Sequence, residues 1–451
     1  VMRRLSPTDV AFLLLERRHQ PLHVGALCLL SPPKGEPPGF AARLAEKFQR
    51  SERVASPFDL RPLTRLGVFY WEDDPHFDLA HHFVHLALPQ PGRIRELLAM
   101  VSRMHSAHLD RAYPLWRVYL VEGLEDGRIA LYMKIHHSVV DGVSGQRLLM
   151  KSMAADAQTS AEMPPPWEIG SGEPPQPVLH TAMRGIDQLR AISASIPHVI
   201  RELQQTYRDA RAHHPDLVTS MRAPRCVLNQ RITASRRFAA QSYSTERMRA
   251  VGKALDGTLN DVAMAMCAGG LRRYLTDLNA LPDKPLVAGV PVSLHRDREH
   301  AQPGNAVTFM LATLATDIED PVERFGAIKA SMDYNKARFQ TMSQNELLVY
   351  ALGMLTPGFL NMRGNWERMP INVVISHVPG PRVPMHWQGA RLEGLYPVSL
   401  VMDGIALNIT LVSRHDFVDF GLIACRRTLP SVQRLLDHLD ESLVELEHAL
   451  R

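Results

Sequence analysis

Apolar residues recur along the chain in two rhythms, one of three and four residues and one of short unbroken runs. Ser6-Pro7-Thr8-Asp9 places a capping residue ahead of the apolar run Val10 to Leu15, which predicts a helix start. Leu22 to Leu30 is almost wholly apolar and closes on Ser31-Pro32-Pro33, which predicts a buried strand. From Arg93 to Leu109 the residues Ile94, Leu97, Leu98, Val101 and Met104 keep helical spacing. Trp116 to Glu122 and Arg128 to Ile135 are strand-like runs on either side of Gly123-Leu124-Glu125-Asp126-Gly127, the pattern of a hairpin. His136 and His137 follow, then a short loop and a helical segment from about Val143 to Ala155.

Periodicity fades over residues 156–180, where Pro164-Pro165-Pro166, Gly170-Ser171-Gly172 and Pro174-Pro175 mark a linker. Thr181 to Ala212 returns to a helical pattern, with Pro197 as a break and Arg184, Arg190, Arg201, Arg208 and Arg211 between the apolar positions. Beyond residue 240 strands are expected at Val287–Val292 and Val307–Ala315, and helices at Asn260–Leu275 and Val432–Leu450. The chain therefore divides into an α/β block at 1–155, a linker with connecting helices at 156–240 and a second α/β block at 241–451. Mixed α/β is the expected fold class.

Composition narrows the class without naming a chemistry. The 451 residues are 45% hydrophobic and 22% charged, ordinary for a globular protein. A net charge of +4 gives no reason to expect nucleic-acid binding, for which a clustered basic face is the usual sign. The four cysteines, Cys28, Cys226, Cys267 and Cys425, form no C-x-x-C pair and mostly have apolar neighbours, as buried thiols in a reducing cytoplasm would. Val1 to Pro7 lacks the apolar stretch of a secretory signal. The run Leu347 to Leu360 is broken by Thr356, Pro357 and Gly358, short of the roughly 20 residues a spanning helix needs.

Histidine is the abundant residue, at 21 positions. Chance placement of 21 histidines gives about one His-His doublet, and the chain has three. His213-His214 precedes Pro215 at a helix end and His81-His82 lies in a polar stretch, so both are expected at the surface. The third doublet sits in Met133-Lys134-Ile135-His136-His137-Ser138-Val139-Val140-Asp141-Gly142, with His137 at a strand end and Asp141 four residues on. An imidazole there would take a proton from a hydroxyl near neutral pH. Asp141 would fix the loop, and Gly142 permits backbone conformations closed to other residues. Two other readings fit the same residues: a structural turn, and a metal site using His136, His137 and Asp141. The metal site is awkward because adjacent side chains on a strand point to opposite faces.

The His136–Gly142 segment matches HHxxxDG, the signature of CoA-dependent acyltransferases that resemble chloramphenicol acetyltransferase. Leu5-Ser6-Pro7-Thr8-Asp9 with Pro21-Leu22-His23-Val24-Gly25 resembles the opening of the bacterial wax ester synthase/diacylglycerol acyltransferase family. Pro114-Leu115-Trp116 is similar to that family's PLW element, and Asn260-Asp261 to its ND element. Val290–Leu294 and Gly304-Asn305 are similar to two more segments, and Asn372–Pro381, with Ser376, to NVxxSNVPGP. His377 stands where the family usually has asparagine, and Cys425 where it often has aspartate. The ordered set spans residue 5 to about 425.

The resemblance implies two chloramphenicol-acetyltransferase-like domains with mixed sheets and a reaction tunnel between them. His137 would be the general base for direct attack of an acceptor hydroxyl on acyl-CoA, without an acyl-enzyme. Asp141 would be structural and His136 would shape the loop. Asn260, or a group near Ser376, would supply an oxyanion donor, while Asn260-Asp261 would also serve as a helix cap. Pro114, Leu115 and Trp116 would pack in the core or along an acyl channel. The implied co-substrate is acyl-CoA, with no bound cofactor or metal. The implied acceptor is a long-chain alcohol or diacylglycerol. Such substrates imply docking from the cytoplasm on a membrane surface or lipid body, with the Arg184–Arg211 helices either at that interface or packed as a crossover. A condensation-type enzyme using carrier-tethered substrates and an inactive lipid-binding relative are the rival classes.

Overall fold

The computed structural model describes residues 2–51, 53–140, 142–170, 223–293, 307–341 and 369–450. Asp141, the expected helices at 181–212, His213-His214, Gly304-Asn305 and the run 347–360 lie outside the described residues. The first block runs β1 (Met2–Arg4), α1 (Pro7–Leu15), β2 (His23–Ser31), α2 (Phe40–Gln49), β3 (Leu60–Arg65), β4 (Val68–Asp73), α3 (Leu79–His82) and β5 (Phe83–Ala87). It continues with α4 (Ile94–Ser106), β6 (Trp116–Glu122), β7 (Ile129–His136), α5 (Gly142–Lys151), α6 (Ala157–Glu162) and α7 (Pro166–Ile169). The second block holds β8 (Arg236–Ser244), α8 (Thr245–Ala254), α9 (Leu259–Asp277), β9 (Val287–Ser293), β10 (Val307–Thr313) and α10 (Pro321–Thr341). It ends with β11 (Val373–Pro379), β12 (His386–Trp387), β13 (Ala390–Val398), β14 (Leu407–Ser413), β15 (Phe417–Cys425) and α11 (Arg434–Ala449).

Local chemistry explains the early elements. Ser6 Oγ accepts the Asp9 amide at 3.1 Å and so starts α1. β7 is buried along its whole length because helices cover both faces. Leu131, Met133 and Ile135 belong to one apolar cluster with residues of α2 and α5, while Ala130 and Tyr132 belong to another with Leu97 and Val101 of α4. That double cover is why the run reads as continuously apolar. Its one charged residue, Lys134, donates to Met104 O at 2.8 Å and Ala107 O at 2.7 Å, the exposed carbonyls at the end of α4. Burial pulls its ammonium down to about 7.

Two six-stranded mixed sheets dominate, in the orders β12-β13-β2-β7-β6-β5 and β10-β9-β11-β14-β15-β8; β1, β4 and β3 form a third, small sheet. The fold is thus α/β with two sheet-rich halves. Sheet membership does not follow chain order. β12 and β13 come from the 241–451 block yet complete the first sheet, with β13 antiparallel to β2 from Arg391↔Ser31 to Val398↔Gly25. β8 begins at Arg236, ahead of residue 241.

β13 and β15 touch closely enough to join the two sheets. A Cβ on Gly421 would stand 1.9 Å from Pro397 O, so only glycine fits that approach. The register of β13 shifts between Leu392 and Gly394, and the Leu395 amide just beyond donates to Asp419 Oδ2 on β15 at 2.8 Å. Asp419 is fully buried and also accepts from Ser242 Oγ at 2.6 Å and from Arg414 Nε. Asp419→Ala would strand the mostly buried Arg414 guanidinium, with an expected loss of about 3–5 kcal/mol in stability. Urea denaturation checks this, and a loss below about 1 kcal/mol would show that the carboxylate does not hold the two sheets together.

Candidate active site

Two carbonyls hold the main chain of the histidine pair. The His136 amide donates to Leu115 O at 2.9 Å and the His137 amide to Leu22 O at 3.0 Å. Pro114-Leu115-Trp116 therefore meets the motif through its backbone. Trp116 is fully buried, and its Nε1 donates to Phe58 O at 2.7 Å. None of the three lines the cavity described below.

The two imidazoles face opposite ways. His136 is 1% exposed, and its Nδ1 accepts the Ser138 amide at 3.2 Å and lies 2.7 Å from Ser138 Oγ. With Nδ1 accepting, the ring proton sits on Nε2, 3.5 Å from Glu16 Oε1. Glu16 follows the last residue of α1, and its side chain is 5% exposed. It also accepts from the Leu22 amide at 3.2 Å and from Arg111 at 2.9 Å, and lies 3.3 Å from His108 Nδ1. Burial alone would raise this carboxyl, but hydrogen bonds from His108, His136 and Arg111 hold it well below the usual carboxylate range. One buried carboxylate thus ties α1, the start of β2 and the end of β7 together.

His137 turns the other way, half-buried, with the Phe12 ring stacked on it at 4.2 Å and 15°. It lines a cavity of about 400 Å³ between the two sheets. Val24, Met133, Ile135 and Leu149 come from the first block, and Phe309, Val374, Val378 and Ile405 from the second. Its polar lining side chains among the described residues are His137, Gln146, Ser376, Ser399, Asn408 and Thr410. Gln146 Nε2 on α5 donates to Pro379 O at 3.1 Å and so links the two blocks at the cavity's side.

The remaining expected residues are dispersed. Gly142 opens α5. Ser376 is on β11 facing the cavity, while its neighbour His377 points to the other face of the sheet. There His377 Nδ1 lies 3.3 Å from Asn260 Oδ1, and burial pulls the His377 imidazole down to about 4. Asn260 and Asp261 therefore sit behind β11, away from the cavity. Thr258 is the N-cap of α9, and Asp261 Oδ2 answers by accepting its amide at 2.8 Å and its hydroxyl at 2.7 Å. Cys425 is buried beside Thr233, whose amide lies 3.4 Å from Sγ.

His82 departs from its expected surface position. It is 1% exposed and lies between Phe77, at 5.1 Å, and Trp116, at 4.5 Å, with Nδ1 2.8 Å from Trp116 O. The polar sequence around it hid this, since the rings that bury it are not its neighbours in sequence except for Phe77. Phe12 and Glu16 carried no signal beyond membership of a helix end, because the rings and cations they meet, His137 for Phe12 and His108, Arg111 and His136 for Glu16, lie far along the chain. Among the described residues no three His, Cys, Asp or Glu side chains group as metal ligands.

Residues 5–263 match the family model described as the wax ester synthase/diacylglycerol acyltransferase catalytic domain, and residues 303–447 that of the WS/DGAT C-terminal domain. The chain belongs to this family. It is 45% identical over 98% of its length to "O-acyltransferase WSD" of Acinetobacter baylyi, covering 96% of that protein. It is 43% identical over 99% of its length to a "putative diacyglycerol O-acyltransferase" of Mycobacterium tuberculosis, covering all of it. The solved wax ester synthase/diacylglycerol acyltransferase of Marinobacter aquaeolei is 45% identical with a TM-score of 0.81, with 99% of each chain covered. The starter condensation domain of rhizomide synthetase shares the fold at 13% identity and a TM-score of 0.61, over 100% of this chain and 94% of that one. This WS/DGAT-family chain is an O-acyltransferase, as the resemblance of its motifs implied.

The charge of Glu16 has a pH signature. A carboxylate with a depressed folded pKa contributes stability above its unfolded value of about 4.3 and loses it as pH falls below. Glu16→Gln should therefore lower stability at pH 7 but lose less on going from about pH 5 to pH 3 than the unsubstituted protein. Denaturant midpoints at the two pH values measure this. Equal losses would mean that Glu16 is not held as a stabilising carboxylate.

Proposed function

We propose that this WS/DGAT-family protein transfers a long-chain acyl group from acyl-CoA to the hydroxyl of a fatty alcohol or of diacylglycerol. One observation carries the reading: His137, the one imidazole among the described lining residues, set in the wall of a mainly apolar cavity between two sheets. The aliphatic walls suit hydrocarbon chains, and they keep water away from the thioester. The named relatives, an O-acyltransferase and diacylglycerol O-acyltransferases, agree with that substrate class.

His137 takes the acceptor's hydroxyl proton as the oxygen attacks the thioester carbonyl. The tetrahedral intermediate collapses with loss of the CoA thiolate, which recovers the proton from the imidazolium. His136 keeps the strand end in place through Ser138 and Glu16, and Asp141 shapes the loop that follows. The route needs acyl-CoA as co-substrate and no bound cofactor. Among the described residues no helix is long and apolar enough to cross a membrane. Substrates that partition into lipid would be met by peripheral docking at the inner face of the membrane or on lipid inclusions.

Purified protein given palmitoyl-CoA with hexadecanol or dipalmitoylglycerol should release free thiol and form ester. His137→Ala should lower acceptor-dependent release by about 10²–10⁴. Undiminished turnover overturns the base assignment. Turnover confined to carrier-tethered acyl groups would place the chain with condensation enzymes, and lipid binding without turnover would make it an inactive relative. Sedimentation with anionic lipid vesicles tests the docking, which is overturned if the protein stays in the supernatant.

A further inference from the structure

Attack on a thioester puts negative charge on the carbonyl oxygen, and the site needs a fixed donor for it. β11 and β14 are adjacent parallel strands in which Val374 pairs with Asn408 and Ser376 with Thr410. Ser376, Asn408 and Thr410 thus share the sheet face that lines the cavity with His137. Asn408 is 6% exposed, and its Oδ1 accepts the Thr410 hydroxyl at 2.8 Å. That bond occupies the carbonyl end of the amide. The Nδ2 end has no hydrogen-bond partner among the described residues. Asn408 lines the cavity, so this donor is left open to a bound substrate.

We propose that Asn408 Nδ2–H is the donor to the thioester oxyanion, with Thr410 as the positioning residue that fixes the amide. As the acceptor oxygen bonds to the carbonyl carbon, the C=O π pair moves onto oxygen and takes the Nδ2 hydrogen bond. Collapse returns that pair and breaks the C–S bond, and the proton held by His137 goes to the departing thiolate. The assignment rests on the acyl-transfer reading above. It distinguishes Asn408 from Ser376, whose hydroxyl is free to rotate, and from Asn260, which lies behind β11 against His377. A donor held in place before the reaction stabilises developing charge without reorganisation.

The test compares Asn408→Ala, Thr410→Val and Thr410→Ser in two assays: transfer from palmitoyl-CoA to hexadecanol, and the slow hydrolysis of palmitoyl-CoA without acceptor. Both reactions pass through the same oxyanion. Asn408→Ala should lower kcat by about 10²–10³ in both, with each KM within about threefold. Thr410→Val should show a smaller fall at an unchanged melting temperature, and Thr410→Ser, which keeps the hydroxyl, should restore it. A kcat within about threefold of the unsubstituted protein in Asn408→Ala overturns the proposal, as does a raised acceptor KM at unchanged kcat. If Asn408→Ala fails to fold, the threonine pair decides: a fall in Thr410→Val rescued by Thr410→Ser supports the donor, and full activity in Thr410→Val overturns it. Loss of activity in His137→Ala with full activity in Asn408→Ala overturns this assignment alone. Absence of any CoA release by the unsubstituted protein overturns the acyl-transfer reading and this one with it.

Discussion

β13 belongs by chain order to the second half of the molecule and by hydrogen bonding to the first sheet, where it pairs along β2. β2 in turn pairs with β7, which ends at His136, and the amide of His137 returns to Leu22 O beside the start of β2. One ladder, β13-β2-β7, therefore fixes the imidazole relative to walls drawn from both halves. The same crossing is secured from the other sheet, where buried Asp419 takes the Leu395 amide and the Arg414 guanidinium. Burial pushes the Asp419 carboxyl up, against the pull of Arg414. The carboxylate adds a hydrogen-bonded tie beside the close backbone approach of Gly421 to Pro397.

Elements set by local periodicity were readable. α4 shows its apolar stripe within thirteen residues, and the β6–β7 hairpin carries its turn glycines between two apolar runs. Cys28, Cys267 and Cys425 are buried as expected, while Cys226 is only partly buried. Elements set by distant partners were not readable. Nothing in Ala390–Val398 says which sheet it joins, since an alternating strand fits either. His82 looked exposed because the Trp116 ring that covers it is thirty-four residues away in sequence. The motifs named the family, but not the depth at which each motif sits. Asn260-Asp261 opens helix α9 behind β11, and only the parity of β11 decides that Ser376 faces the cavity and His377 faces Asn260.

Adjacent histidines on one strand end face opposite sides by the same parity. The inner one is built into a charged cluster with Glu16, Arg111 and His108, and the outer one is left to the cavity beneath Phe12. The ion pairs of Glu16 are thereby kept behind the sheet, on the side of His136 away from the cavity. Lys134 follows the rule: it points away from the cavity and spends its donors on the end of α4.

A cavity walled by both halves does more than hold a chain. A hydrocarbon filling it touches Met133 and Ile135 on one side and Phe309 and Ile405 on the other, so it acts as a stretch of core shared between two layers that otherwise meet through β13 and a few side-chain ties. Whatever binds there and not to the unfolded chain adds its own binding free energy to the cohesion of the whole molecule. The occupant is then structural for as long as it stays, and departure of the ester leaves the two halves at their loosest just when the next substrate must thread between them.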